Sequence, residues 1–167
     1  MSDGYLCTGC GKWHDELPFA YHGPPPTLDR RDGPRRWIIE NELCEHGAKH
    51  WFIHGRLALP VVDADEDFTW GVWVSLSQAS AERSQELWFT EGRESEPPCF
   101  GWVMSALPYE PTTMLLKAMV HTQPVGERPL IELEPTDHPL AVEQRQGIAL
   151  ERVREIASAV LHPQPPG

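Results

Sequence analysis

The chain has 167 residues, a formal net charge of −11, and hydrophobic and charged fractions of 40% and 23%. This length and composition predict one globular domain with its own core and exclude a largely disordered chain. The negative charge argues against a nucleic-acid-binding protein, which needs a basic face to displace counterions.

The sequence shows no sign of a membrane or secreted protein. No stretch approaches the roughly 20 apolar residues of a membrane span, and the first residues lack the basic-then-apolar pattern of a signal peptide. We therefore expect a cytoplasmic protein with no membrane partner. In that reducing compartment, the four cysteines favour metal binding over disulfides.

The first feature in chain order is the segment Tyr5-Leu-Cys-Thr-Gly-Cys-Gly-Lys-Trp-His14. Two residues separate Cys7 from Cys10, and the glycine that follows lets the backbone curl so that both thiolates face one centre. Structural zinc takes four nitrogen or sulfur ligands in a tetrahedron. This knuckle therefore supplies two ligands and needs two more.

The remaining ligands are sought in the metal-binding segment 5–46. We predict a zinc ion held by Cys7, Cys10 and Cys44, with His14 or His46 as the fourth ligand. Four protein ligands leave no open position for water, which favours a structural site over a catalytic one.

Two other interpretations of Cys7 and Cys10 stay open. They could be packed free thiols, or a redox pair. Redox pairs usually open a helix after a strand, whereas a glycine and a proline-rich loop follow here.

Residues 15–34 are predicted as a loop because prolines interrupt them repeatedly, and 35–44 fits a short helix or a strand equally well. Two alternating apolar runs, 51–62 and 68–76, are joined by a short acidic turn and predict an antiparallel hairpin. Trp73 lies on the less apolar side of the second run. It is either covered by a helix or exposed in a binding surface, and we favour the covered position.

Further elements follow the hairpin. Ser77 is a candidate cap for a helix over 78–89, and 99–107 is a third apolar run. Helical spacing predicts a helix over 111–121, and alternation predicts a fourth strand over 128–134.

The last element is a helix over 148–162, ended by a proline, with 163–167 as a tail. We therefore predict a single α+β domain over 1–162. Its N-terminal zinc knuckle would pack on a mostly antiparallel sheet of about four strands with two to three helices.

The candidate catalytic residues are Asp137 and His138, which follow the predicted fourth strand close to several carboxylates. A histidine at a strand end beside carboxylates is typical of a general acid-base site. However, Asp137 could instead cap the next turn, and His138 could bond the backbone. The sequence has no evident nucleophile and no phosphate-binding glycine loop, so we lean towards a protein that is not an enzyme.

Other polar residues have structural explanations. His54 and Arg56 share one face of the first long strand, where they either line a polar groove or face solvent. Arg128 is expected to pair with Glu132 or Glu134.

A family resemblance rests on four ordered motifs. They are Cys7-x-x-Cys10-Gly-x-x-His14, Trp70-Gly-Val-Trp-Val-Ser-Leu76, Gly101-Trp102, and Arg128-Pro-x-Ile-Glu-Leu-Glu-x-x-Asp-His-Pro-Leu140. Together they resemble the bacterial domain of unknown function 2199 (DUF2199) over residues 5–162. The resemblance implies one cytosolic bacterial domain with Cys7, Cys10, His14 and Cys44 at family motif positions. His46 rests on spacing alone, and no activity is implied.

For function, we expect first a non-catalytic, zinc-containing module that binds a protein or a small ligand. A specific form would be an acidic immunity or regulatory protein that neutralises a basic partner. The alternatives are a metal-dependent hydrolase that uses Asp137 and His138, and a thiol redox protein that uses Cys7 and Cys10. The partner, the substrate and the oligomeric state stay open.

Overall fold

The computed structural model describes residues 4–26, 31, 33–39 and 41–162. The tail predicted over 163–167 lies outside these residues. The strands are β1 (Tyr5–Leu6), β2 (Trp13–His14), β3 (Ala20–His22), β4 (Arg35–Ile39), β5 (Leu43–His46), β6 (His50–Leu59), β7 (Phe68–Leu76), β8 (Cys99–Val103), β9 (Lys117–His121) and β10 (Leu130–Leu133). The helices are α1 (Gln78–Glu86), α2 (Pro139–Gln146) and α3 (Leu150–Leu161), with a 3-10 turn at Arg93–Ser95.

A closed ring of five strands forms the centre of the fold. Hydrogen-bonded neighbours run β7-β8-β9-β10-β6, and β6 pairs back with β7 to close the barrel. Strands β5 and β4 extend from β6, and β3 pairs in parallel with β7. The fold class is α+β as expected, but the expected sheet of about four strands is wrong.

The barrel closes because β6 and β7 pair with each other along one edge, and each pairs with two different strands along its other edge. Strand β6 pairs with β5 over its first residues and with β10 at Arg56. Strand β7 pairs with β3 at its start and with β8 near its end. Between the two partners of β6 lies Gly55, where an added Cβ would lie 2.5 Å from the Ile131 side chain. The glycine therefore lets β10 approach closely.

Several local predictions are confirmed. The antiparallel hairpin runs over β6 and β7, with Leu59 opposite Phe68 and Trp51 opposite Leu76. Ser77 caps α1, where its side chain accepts a hydrogen bond from the Ser80 amide. The final helix is α3.

The predicted helix over 111–121 is wrong, because Lys117–His121 is strand β9 between β8 and β10. Ala118 and Val120 alternate into the core, while Leu115 is exposed and has φ 67°. A short apolar run fits the periods of a helix and of a strand equally well. Here, hydrogen bonding to the two neighbouring strands determines the strand conformation. Helix α2, Pro139–Gln146, was not predicted from the sequence.

The core fills the barrel and extends to the helices. Trp70 is buried, and its Nε1–H donates to the Tyr109 hydroxyl at 3.2 Å. That hydroxyl donates in turn to Glu143 of α2 at 3.2 Å, and Glu143 pairs with Arg152 of α3. Burial first, and then the Glu143 charge, raise the pKa of Tyr109 to about 12, so it stays a neutral donor that links the barrel to both helices.

Candidate metal centre

The N-terminal knuckle is a tight hairpin between β1 and β2. Tyr5 pairs with His14 across these two-residue strands. The Gly11 amide donates to the Cys7 carbonyl at 2.8 Å, and the Cys7 amide donates to the Lys12 carbonyl at 2.9 Å. Gly11 has φ +70°, a left-handed conformation that glycine adopts without strain. This turn brings Cys10 back towards His14.

The end of α3 packs against this turn. The Thr8 amide donates to the Ser158 hydroxyl oxygen at 3.2 Å, and His162 follows one helical turn later. A Cβ built at Gly9 would lie 2.5 Å from the His162 Cβ. The missing side chain at Gly9 therefore lets the knuckle backbone touch the helix end.

Four side chains meet at this contact: Cys7, Cys10, His14 and His162, which we call the Cys-His cluster. Their potential ligand atoms all lie within 4.8 Å of one another. The Cys10 Sγ and the His14 Nε2 are 3.4 Å apart. This is the one group of three or more histidine, cysteine or acidic residues with that spacing in the part of the chain that the structure describes.

The surroundings of the cluster stack one of its histidine rings, leave one histidine nitrogen without a hydrogen bond from the described residues and favour the thiolate at Cys7. The His14 ring stacks on Tyr5 and lies 5.4 Å from the His162 ring, centroid to centroid. The His162 Nε2 is buried, and no described residue bonds to it. Burial raises the pKa of the Cys7 thiol, but hydrogen bonds from the Cys10 and Gly9 backbone and the Ser158 hydroxyl outweigh it and lower that pKa. The cluster could hold a metal ion.

Comparison with known proteins names the family. The model of a family described as an uncharacterized protein conserved in bacteria (DUF2199) matches residues 6–148. The chain belongs to the DUF2199 family. The matched segment includes Cys7, Cys10 and His14 and ends before His162. Neither the curated proteins nor the solved structures contain a match.

The structure of this DUF2199 chain brings together only part of the predicted ligand set. Cys7, Cys10 and His14 lie close together, and His162 joins them. Cys44 and His46 lie on β5 and are not part of the Cys-His cluster. Cys44 packs with Phe52 and Trp73 in a separate apolar cluster, where burial raises its pKa.

Sequence reasoning missed His162 because the ligand search stopped at residue 46. The contact joins residues about as far apart as the chain allows, such as Thr8 and Ser158. A usable signal was nevertheless present. Ser158 and His162 are four residues apart at the end of a predicted helix, so they share one face.

In this DUF2199 protein, His138 serves as the N-cap of α2. Its Nδ1 accepts from the Leu140 amide at 3.1 Å, and its Nε2–H donates to the Pro111 carbonyl at 2.8 Å. The side chain is buried, whereas Asp137 is exposed. Both ring nitrogens of His138 are therefore engaged by the backbone.

His54 lies on the outer face of the barrel. Its ring stacks on Trp73 at 4.8 Å and lies 5.3 Å from the His22 ring. Burial, together with the Arg128 charge, lowers the pKa of His54 to about 4. Trp73 is buried as predicted, but Trp37, at 5.8 Å, covers it instead of a helix.

Arg128 makes a structural ion pair, but not with Glu132 or Glu134. Its Nε and Nη2 donate to the Glu42 carboxylate at 2.8–3.0 Å.

As for membranes, the described part of the chain contains no helix that is both long enough and apolar enough to span one.

Proposed function

We propose that this DUF2199 protein is a non-catalytic binding domain in which one structural zinc ion ties the N-terminal knuckle to helix α3. The observation that carries the proposal is the Cys-His cluster, with its four donor atoms within 4.8 Å of one another. Two thiolates and two imidazoles are a common donor set for structural zinc.

The distances support this ion. Zinc–ligand bonds of about 2.0–2.3 Å give tetrahedron edges of about 3.3–3.8 Å. The separation of 3.4 Å between the Cys10 Sγ and the His14 Nε2 matches such an edge. The other atoms need to move inward by roughly an ångström at most.

The donor set also supports a structural role over a catalytic one. Four protein ligands fill the coordination sphere, so no position is left for a water that could attack a substrate. Both nitrogens of the other candidate, His138, bond to backbone groups. A binding role therefore fits better than hydrolysis.

The first test is elemental mass analysis of protein purified under reducing conditions. We expect about one zinc per chain, and its loss in Cys7→Ser, Cys10→Ser, His14→Gln and His162→Gln. Matched controls are Cys99→Ser, for a half-buried thiol elsewhere, and Cys44→Ser and His46→Gln, for the sequence-predicted ligands. Each control should keep its zinc.

Two results would contradict the proposed site. Zinc lost in Cys44→Ser but kept in His162→Gln would favour the ligand set predicted from sequence. Reduced protein that contains no zinc would contradict the proposed metal site altogether. A reversible Cys7–Cys10 disulfide would then support the redox alternative.

A second test separates a closed site from an open one. Cobalt substituted for zinc gives a visible spectrum that depends on the ligands. Added azide should leave that spectrum unchanged, because a closed site has no position for an external anion. A spectrum that shifts with azide would indicate an open position and favour the hydrolase alternative.

A further inference from the structure

A cleft of about 440 Å³ collects positive charge on a chain whose net charge is −11. Its lining includes Arg56, Arg93 and Arg128 against the carboxylates of Glu42 and Glu127. We call it the arginine cleft. Three guanidinium groups and two carboxylates leave one positive charge in excess.

One of the three arginines is fully paired. Arg128 and Glu42 make a bidentate pair with donor–acceptor distances of 2.8–3.0 Å, which is the strong geometry for these groups. This pair needs no further anion. The charge that is free to attract a ligand therefore belongs to the other two arginines.

Arg93 is a buried cation held by carbonyl groups. It is 6% exposed, and its guanidinium donates to the carbonyls of Trp88, Gln123, Pro124 and Glu127 at 2.7–3.1 Å. Carbonyl dipoles satisfy its donors but do not neutralise its charge. Within the described ranges, no carboxylate forms an ion pair with Arg93.

Arg56 has an unused donor. Its Nε is buried, and no hydrogen bond from the described residues reaches it. Its Nη2 lies 3.8 Å from the Glu127 carboxylate, which is too long for a hydrogen bond. A buried donor without a partner is costly, and the same side chain lines the arginine cleft.

An apolar cavity adjoins the arginine cleft. This barrel-mouth cavity of about 270 Å³ lies between α1 and the ends of the barrel strands, with Ile53, Leu87 and Pro129 among its lining residues. Trp88 and Arg93 line both the cavity and the cleft. Barrel mouths with apolar walls and a few polar groups are typical small-molecule sites.

We propose that the barrel mouth binds a small amphipathic anion. An aromatic ring or short acyl chain occupies the barrel-mouth cavity, and a carboxylate or phosphate faces Arg56 and Arg93. The proposal names a ligand class for the binding role proposed above and does not depend on the zinc ion.

The test is isothermal titration calorimetry of the intact protein, as purified under reducing conditions, with three probes that share a phenyl ring. Phenylacetate and phenyl phosphate carry the two anionic heads, and 2-phenylethanol is neutral. The better-bound anion should bind at least about tenfold more tightly than the alcohol, because a charge-assisted contact adds that much or more. The ratio of the two anions distinguishes a carboxylate ligand from a phosphate ligand.

Paired variants connect binding to the cleft. Arg56→Gln should weaken the anions about tenfold and leave the alcohol unchanged. Arg154→Gln, at a half-exposed arginine on α3 that pairs with Glu151, should change neither. Glu127→Gln removes the competing carboxylate and should tighten anion binding a few-fold. Ser84→Leu, in the wall of the barrel-mouth cavity, should weaken all three probes.

Three outcomes would overturn the proposal: no binding of any probe, equal binding of the anions and the alcohol, or anion binding that neither Arg56→Gln nor Glu127→Gln alters. Zinc content is measured on the same samples. Protein that contains zinc but binds no anion would contradict only the proposed ligand class. Protein that binds the anions but contains no zinc would contradict only the proposed structural ion.

Discussion

The barrel and the N-terminal knuckle that carries most of the Cys-His cluster are two regions of one molecule with very different amounts of regular structure. The barrel has strands of nine and ten residues and encloses fully buried side chains such as Phe68 and Trp70. The knuckle has only the two-residue strands β1 and β2. Burial of apolar surface stabilises the barrel. Tyr5 and Cys7 of the knuckle belong to the same core, and the proposed zinc ion would add a tie from the knuckle to α3.

The largest expected effect tests the barrel. Trp70→Ala should lower the free energy of unfolding by about 3–5 kcal/mol, because it opens a cavity in a full core and removes the donor to Tyr109. Urea denaturation measures it. Phe89→Ala is the control: this side chain is 83% exposed, and its loss should change stability by less than about 0.5 kcal/mol. If the Trp70 variant had the same free energy of unfolding as this control, burial in the barrel would not be what stabilises it.

The next effect tests the knuckle. Cys10→Ser should release the zinc and lower the free energy of local opening of the knuckle by about 2–3 kcal/mol, less than the loss in a zinc finger because the barrel keeps its own core. Native-state hydrogen exchange should show faster exchange at the amides of Cys7 and Gly11 and unchanged protection in β6 and β7. Cys99→Ser provides the matched thiol control. If protection fell equally in both regions, the two would not be held independently.

A third effect uses pH on the outer face of the barrel. The folded pKa of His54, about 4, lies below the ordinary value near 6.5. The unfolded chain therefore binds the extra proton between these values, and stability is lost as the pH falls from about 6.5 towards 4. After allowance for solvent screening the loss is about 2 kcal/mol.

Urea titrations of wild type and His54→Gln at a series of pH values isolate this effect. The difference in unfolding free energy between the two proteins should change across that pH window. A constant difference would show that the environment of His54 does not favour the neutral ring.

The smallest effect compares two glycines with similar positive φ angles. Gly11 and Gly92 have φ +70° and +82°, with open space where a Cβ would stand. Replacing either by alanine should cost roughly 1 kcal/mol. Only Gly11→Ala should also weaken zinc retention in a chelator competition, because only Gly11 shapes the knuckle. Equal zinc retention in the two variants would show that the turn at Gly11 does not contribute to zinc binding.

Local sequence patterns were enough to predict the hairpin of β6 and β7, the cap of α1 and the final helix. Alternation over nine residues and a 3.6-residue stripe are properties of a single segment. The same holds for Cys7, Cys10 and His14, which lie within one turn. The family, too, follows from short motifs in order.

Only the tertiary structure decided the barrel, strand β9 and His162. Closure depends on β10 pairing in parallel with β6 at Arg56, a contact between distant segments that no local pattern encodes. Strand β9 has an apolar run that suits either period, and its two neighbours determined its conformation. His162 reaches the knuckle because Gly9 and Ser158 let α3 end against it. A side-chain cluster assembled from both ends of a chain is a property of the packing, because proximity in space is independent of proximity in sequence.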